Sequence, residues 1–361
     1  MRATIVTSVE ELVELEERWE ALRRECGGTL FASNYLTRAW FQVYARIATP
    51  KVVVVERNHE LVGIAPLTSY GYRIAGLPIK VLALAGEMKG RLRLSTTSPM
   101  YRPDCSDSLS MMIDKIKSMD WGLLTTINLD SNNANQRYVD AVRSVWRTEE
   151  YPVAKKMTVS LPGSGSIADT FDKKTRKNLE YRERLLEREG HDVMYRRVPS
   201  DGIDAAVETY ARQHIERWED KGGSYFQDLD NVRFMKVCST LSHHAGRGHV
   251  YEMLIDGEVA AQDFYMVDGT IAYGDKTGMN NRFMRYSPGW LVQTHALDDL
   301  RDRGMESCVM GVGGEKYKSE MKGEESPLIG IRATRGGAAF FSRLRNTPIG
   351  KHLDRRLGVS N

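Results

Sequence analysis

The sequence predicts an α/β (α+β) fold built from two similar units, each a mixed, mostly antiparallel sheet flanked by helices. A chain of 361 residues is long enough for two domains at roughly 150 residues each. A strand–turn–strand pattern occurs twice after helical stretches, as VVVVERNHELVGIAPL at 52–67 and VYEMLIDGEVAAQDFY at 250–265. Between them, the stretch from Tyr151 to Gly165 reads as a linker, with Leu161-Pro-Gly-Ser-Gly-Ser166 its richest run of turn formers. The boundaries follow: a first domain over 1–155, a second over 156–345, and a basic tail over 346–361.

Each element has its own justification. Ser8 followed by Glu11 makes a capping box. Leu12, Leu15, Trp19 and Leu22 recur at helical spacing up to Gly27-Gly28, which predicts an amphipathic helix. A second helix over 36–47 carries Trp40, Phe41 and Tyr44. The β-branched run 51–56, a polar turn at 57–60 and the apolar run 61–67 predict an antiparallel hairpin. In the second domain a basic helix spans 167–189, a further helix contains 205–221, and another covers 232–243. Strands follow over 249–255 and 259–267, joined at Asp256-Gly257-Glu258. Asp268-Gly269 is a strong hairpin turn into a strand beginning at Ile271. An irregular loop over 280–286 leads to a helix over 290–303 and a strand over 307–310. Ser287 is placed to cap that helix and Pro288 to start it, which would leave the amides of Gly289, Trp290 and Leu291 facing outward as an anion site. Arg282 and Arg285 lie just upstream and would add charge.

Composition excludes several classes. The chain is 41% hydrophobic and 27% charged, ordinary for a soluble globular protein, so disorder, collagen repeats and a disulfide scaffold are ruled out. A net charge of +3 does not announce a nucleic-acid binder. Cys26, Cys105, Cys238 and Cys308 form no CxxC pair, which removes zinc ribbons and thioredoxin-type sites. The N-terminus has no long apolar stretch, and no window reaches about 18 apolar residues, so a cytoplasmic location is expected. The Gly-Ser run at 163–166 lacks the Gly-Lys-Ser/Thr of a nucleotide P-loop. His243, His244 and His249 straddle glycines without helical i, i+4 spacing and read as surface histidines at a helix end, so no metal is expected.

Several motifs in order resemble a known family. These are Lys174-x-Arg176-x-Asn178-Leu179, His214-x-x-Arg217-Trp218, Tyr286-Ser287-Pro288-Gly289 and Gly313-x-x-x-Tyr317-Lys318, with Phe31-x-Ser33, Trp40 and LVGIAPL in the first half. They resemble the CelD/BcsL-like (BioF2-like) acetyltransferases of the GNAT superfamily, related to the FemABX aminoacyltransferases. Two positions depart from that pattern. Asn280 stands where members often carry the Asp of a Tyr-Asp pair, and Val309-Met310 stands where many carry Asp-Phe.

The resemblance implies tandem GNAT-like domains and an amine attacking an acyl carbonyl. Catalysis then needs positioning, proton transfer and oxyanion stabilisation. By resemblance, Ser287, Pro288, Gly289 and Trp290, with Arg282 and Arg285, form the acyl-CoA side. Lys318 matches a lysine that stabilises developing negative charge, and Tyr317 is a donor to the leaving group. Three carboxylates are candidates for the base: Asp263 first, because an apolar strand would raise its pKa, then Asp275 and Glu315. Arg176, Arg217, Trp218 and Tyr273 would line the acceptor side, and the first domain would wall it.

The implied function is transfer of an acyl group from acyl-CoA to an amine of a small molecule or an envelope or polysaccharide precursor. The alternatives are an aminoacyl-tRNA-dependent ligase, favoured by the basic C-terminal stretch containing Arg332, Arg335, Arg343 and Arg345, and a non-catalytic binding module.

Overall fold

The computed structural model describes residues 1–74, 77–312 and 320–336, with all their side chains except those of Ile74, Ser106 and Asp275. The chain divides into two compact units, Met1–Ala154 joined by the chain from Pro327 onward, and Lys155–Ser326.

The first unit runs β1 (Arg2–Val6), α1 (Val9–Glu14), α2 (Glu16–Glu25), α3 (Asn34–Tyr44), β2 (Thr49–Pro50), β3 (Val52–Arg57), β4 (Glu60–Ala65), β5 (Leu67–Ile74), β6 (Leu77–Leu84), β7 (Met100–Tyr101), α4 (Ser106–Lys117), β8 (Leu123–Asp130) and α5 (Asn133–Val145). The Ser8–Glu11 capping box is present in both directions. The helix expected beyond it is divided at Leu15. Leu12, Leu15, Trp19 and Leu22 are nonetheless all buried, as their spacing requires. The β3–β4 turn is Asn58-His59, both with positive φ (51° and 67°), the backbone that a two-residue hairpin demands. The core gathers Val53, Val55, Leu82, Leu84, Leu124 and Tyr138. Here β6 pairs β8 in parallel over Val81–Ala83 and Leu123–Thr125.

The second unit begins within β9 (Arg147–Ser160), followed by α6 (Lys173–Arg188), β10 (Val193–Arg197), α7 (Ile203–Trp218), α8 (Leu229–His244), β11 (Gly248–Ile255), β12 (Glu258–Asp268), β13 (Ile271–Met279), α9 (Pro288–Asp302) and β14 (Ser307–Val312), and ends at the start of β15 (Glu324–Thr334), most of which belongs to the first unit. Its strands lie in the order β10-β11-β12-β13-β14-β9. All neighbours are antiparallel except β13 and β14. Helix α9 lays Leu291, Val292, Ala296, Leu297 and Leu300 onto Ala261, Tyr265 and Ala272 of the sheet. This is the α/β, mostly antiparallel architecture the sequence predicted.

Two boundaries differ from expectation. Residues 151–160 are strand rather than linker, because Lys156–Ser160 ladder with β14. Only the run from Leu161 to Ser166 is irregular. Residues 328–334 pair with β8 of the first unit, so the chain returns there instead of staying in the second domain. A pairing partner about 200 residues away is invisible to a linear reading. Of the basic C-terminal stretch, Arg332 and Arg335 are engaged within the first unit. Arg332 lies over the Tyr151 ring at 5.0 Å, and Arg335 donates to the carbonyls of Lys117 and Met119. The tail at 346–361 lies outside the described residues. Among the described residues no helix is long and apolar enough to cross a membrane.

Candidate active site

The site grows from one sheet irregularity. Strands β13 and β14 pair in parallel only over Ile271–Tyr273 and Ser307–Val309. Beyond that, β13 continues on β12 as far as Met279, and β14 continues on β9 as far as Val312. The two strands therefore take different partners from Gly274 and Met310 onward. Against β12, Tyr265 faces Gly274 while Phe264 faces Lys276. Asp275 is thus the extra residue of a β-bulge, which re-aims the strand locally. Gly311 holds φ at +67°, and a Cβ there would come within 3.2 Å of the Gly274 carbonyl.

Asp263 lies beside this parting of strands. It is 1% exposed, in a strand otherwise apolar apart from its neighbour Gln262 and its two ends. The Tyr265 hydroxyl donates to its Oδ2 at 2.5 Å, and the Thr277 hydroxyl to its Oδ1 at 2.8 Å. Burial pushes the Asp263 carboxyl up from an ordinary 3.8 to about 7, against the opposing pull of Tyr265, Thr277, the Phe264 N–H and Gln293 of α9. A carboxyl poised near neutrality suits proton transfer. Cys308 of β14 is fully buried, and both burial and the Asp263 charge push its thiol up. That disqualifies it as a nucleophile at neutral pH.

The entry to α9 departs from expectation. Pro288 does open the helix, but Ser287 sits in the left-handed region (φ 55°, ψ 48°) and its side chain makes no cap. The amides of Trp290 and Leu291 do not face outward, since both donate to the Ser287 carbonyl at 3.0 and 3.4 Å. Gly289 answers a packing need, because a Cβ there would lie 2.5 Å from Met279 Sδ. The arginines upstream are already neutralised. Arg282 pairs with Glu258 at 2.6 Å and Arg285 with Glu189 at 2.5 Å. Asn280 caps the 3-10 turn Asn281–Tyr286 by accepting the Arg282 N–H at 3.0 Å, a local task that an aspartate could equally perform.

The acceptor-side candidates separate. Arg217 and Trp218 end α7, and Trp218 stacks on His214 at 5.6 Å and 12°. His214 Nδ1 lies 2.8 Å from Ser224 Oγ. Burial, followed by the nearby charges of Lys276 and Arg217, lowers the ring to about 4. His214, Arg217, Trp218 and Lys276 thus form one cluster. Arg176 stands at the start of α6, 3.7 Å from Asp169. Tyr273 is buried at the last position of β13 that pairs with β14. Position 275 is described only as backbone, and Glu315, Tyr317 and Lys318 lie outside the described residues. Among the described residues no group of three His, Cys, Asp or Glu side chains is arranged to hold a metal.

Sequence reading missed Tyr265, Thr277 and Gln293, and named His214 only as part of a motif. Tyr265 was the accessible one, two residues along the strand from Asp263 and so on the same face. Thr277 requires the register across a bulge, and Gln293 the docking of a helix.

Comparison with known proteins fits this geometry. Residues 173–319 match the acetyltransferase (GNAT) domain. No curated protein sequence matches the chain. Among solved structures, the chain is similar to FemX (TM-score 0.60, 9% identity, covering 91% of this chain and 97% of that one). It is similar to the C-terminal domain of a putative lysylphosphatidylglycerol synthetase from Agrobacterium fabrum (0.56, 11%, 93% and 95%). It is also similar to a tandem GNAT protein from the clavulanic acid biosynthesis pathway (0.51, 11%, 93% and 99%). At these identities the likeness is one of fold.

Proposed function

Because residues 173–319 match the acetyltransferase (GNAT) domain and the fold is similar to that of FemX, we propose that this chain is an N-acyltransferase moving an acyl group from acyl-CoA to an amine. The amine belongs to a small molecule or an envelope precursor. The observation that carries the reading is Asp263, a buried carboxyl near neutrality, next to the parting of β13 and β14.

In the proposed reaction the amine nitrogen attacks the thioester carbonyl, forming a C–N bond and an oxyanion. The ammonium proton passes to the Asp263 carboxylate, relayed by the hydroxyls of Thr277 and Tyr265, which already touch it. The oxyanion collapses, the C–S bond breaks, and the thiolate leaves with a proton. By family resemblance, Lys318 stabilises the oxyanion and Tyr317 supplies the proton to sulfur. The Ser287–Trp290 turn flanks the donor. The His214–Trp218 cluster, with Arg217, flanks the acceptor, where Arg suits a carboxylate or phosphate.

Titration calorimetry with acetyl-CoA and longer acyl-CoAs tests the reading. Binding of at least one donor, with free thiol released when an amine is added, is expected; no heat with any of them refutes it. The aminoacyl-tRNA reading is favoured by α6, whose sixteen residues carry Lys173, Lys174, Arg176, Lys177, Arg182, Arg184 and Arg188. Transfer from charged tRNA, abolished by ribonuclease, would establish it instead.

A further inference from the structure

The parting of strands at β13 and β14 has a counterpart in the first unit. There β6 and β8 pair in parallel over Val81–Ala83 and Leu123–Thr125. Beyond that overlap β6 stays with its hairpin partner, Leu84 facing Leu67 of β5. Strand β8 goes on with β15, from Ile331 opposite Thr126 to Leu328 opposite Asp130. Between those pairs Ile127 and Asn128 face Gly330 alone, a bulge in which Asn128 takes φ 56°. Each unit thus holds two parallel strands that overlap briefly, part beside a bulge and leave with other partners.

What stands at the parting differs. In the second unit Gly274 and Gly311 bring no side chain to it. In the first unit Glu87 reaches in. Gly86 turns the chain at φ +88°, and a Cβ on it would lie 2.8 Å from the Leu94 nitrogen, so the turn requires glycine. The buried Glu87 carboxyl accepts the Ile127 N–H of β8 on Oε1 at 2.7 Å. Burial pushes that carboxyl up, and the backbones of Ile127 and Leu84, one on each side of the parting, oppose it together with Arg93.

The surroundings are polar well beyond that bond. Among the described residues, Glu87 Oε2, Thr126 Oγ1, Asn128 Oδ1 and the Tyr138 hydroxyl are buried without a hydrogen-bond partner. Thr126 and Asn128 flank Ile127, and the Glu87 charge reaches Tyr138 of α5 and Tyr70 of β5. Buried polar atoms ordinarily find partners, and an apolar side chain would fill a mere packing gap without stranding a second carboxyl oxygen. The Glu87 carboxyl acts here as the carbonyl of a ligand would. It supplies the acceptor that Ile127 loses when β6 departs.

We propose that the gap between β6 and β8 is a second ligand slot, suited to a carboxyl or carboxamide group and closed from within by Glu87, so that the chain takes its acyl donor in the second unit alone. The single donor site rests on the acyltransferase reading above; the slot itself does not.

Glu87→Ala removes a carboxymethyl group. Acetamide returns that shape, with a carbonyl for the Ile127 N–H and an NH₂ for the unpaired oxygens. In Glu87→Ala, acetamide at about ten times its dissociation constant is expected to raise the melting temperature by about 2–4 °C. It should also move the Ile127 amide resonance along a saturable curve, while ethanol at the same concentration does neither. The natural chain and Glu87→Gln, whose slots stay filled, should not respond to acetamide. Acyl-CoA should titrate to one equivalent on the natural chain and leave its Ile127 resonance in place. A folded Glu87→Ala that ignores acetamide overturns the slot. Two equivalents of acyl-CoA, or an Ile127 resonance that follows acyl-CoA, overturns its closure.

The natural chain also carries a test that needs no ligand and no Ala variant. Ile127 has no strand beside its N–H, yet that proton should exchange with solvent within about tenfold of the rate at Leu124, inside the ladder. Exchange as fast as at an open strand edge overturns the plug even if Glu87→Ala does not fold. No acyl-CoA binding at all refutes the acyltransferase reading, while acetamide and exchange still decide the slot.

Discussion

Replacing Asp263 with Asn tests the buried carboxyl directly. The carboxyl rises from 3.8 to about 7 on folding, and at about 1.4 kcal/mol per unit this corresponds to about 4 kcal/mol. The sign follows from proton linkage. Below about pH 4 both folded and unfolded chains hold the proton. Between about pH 4 and pH 7 the unfolded chain loses it while the folded chain keeps it, so stability falls by up to that amount and then levels off. Asn has the same shape and no titration. Every other group is common to both proteins, so the difference in unfolding free energy isolates Asp263. Urea denaturation of both chains from about pH 4.5 to pH 8 should show the Asn variant gaining on the natural chain as pH rises, most steeply below pH 7. Its kcat/KM should drop about 10²- to 10⁴-fold, with the inflection near neutrality lost. Parallel stability curves, or full activity with an unchanged pH profile, would refute both the buried-proton account and the assignment of the base.

Further outcomes follow from the geometry. Gly278→Ala puts a methyl 2.6 Å from the Tyr210 ring and should lower stability by about 1–3 kcal/mol. Gly289→Ala first meets the flexible Met279 side chain, so its melting temperature should fall less than that of the Gly278 variant. Arg282→Ala breaks an exposed pair with Glu258 and should change stability by less than about 1 kcal/mol and acyl-CoA affinity by less than about fivefold; a larger affinity loss would restore Arg282 to the donor site. In the first unit, burial pushes the Glu87 carboxyl well up, opposed first by the Ile127 N–H. Glu87→Gln should therefore become more stable relative to the natural chain as pH rises from acid to neutral, read by the same denaturation series.

How much of this was legible depended on range. The Asp256-Gly257 and Asp268-Gly269 turns read directly because Asp256, Gly257 and Gly269 all take positive φ, and few residues tolerate that. Asp263 stood out as a carboxyl in an apolar run. Ser287 was misread because capping propensity ordinarily wins at such a position, whereas here the 3-10 turn before it, with Tyr286 held by Glu189 and His191, delivers the chain in a left-handed turn. Arg282 and Arg285 looked available until Glu258 and Glu189 proved to be beside them across the fold. The strands over 67–74, 77–84 and 123–130 carry no local signal as clear as a turn, and β15 needs a partner far away in sequence.

That return of the chain bears on synthesis. Residues 328–334 complete the first unit by pairing β8, although Lys155–Ser326 must be made in between. At about 5–20 residues per second a ribosome needs about 9–34 seconds for that stretch. For that interval one side of β8 has no strand beside it, while the second unit can already fold behind it. An unpaired strand edge invites pairing with a neighbouring chain, so a nascent chain stalled before Pro327 would be open to such pairing through its first unit even with its acyltransferase-like unit whole.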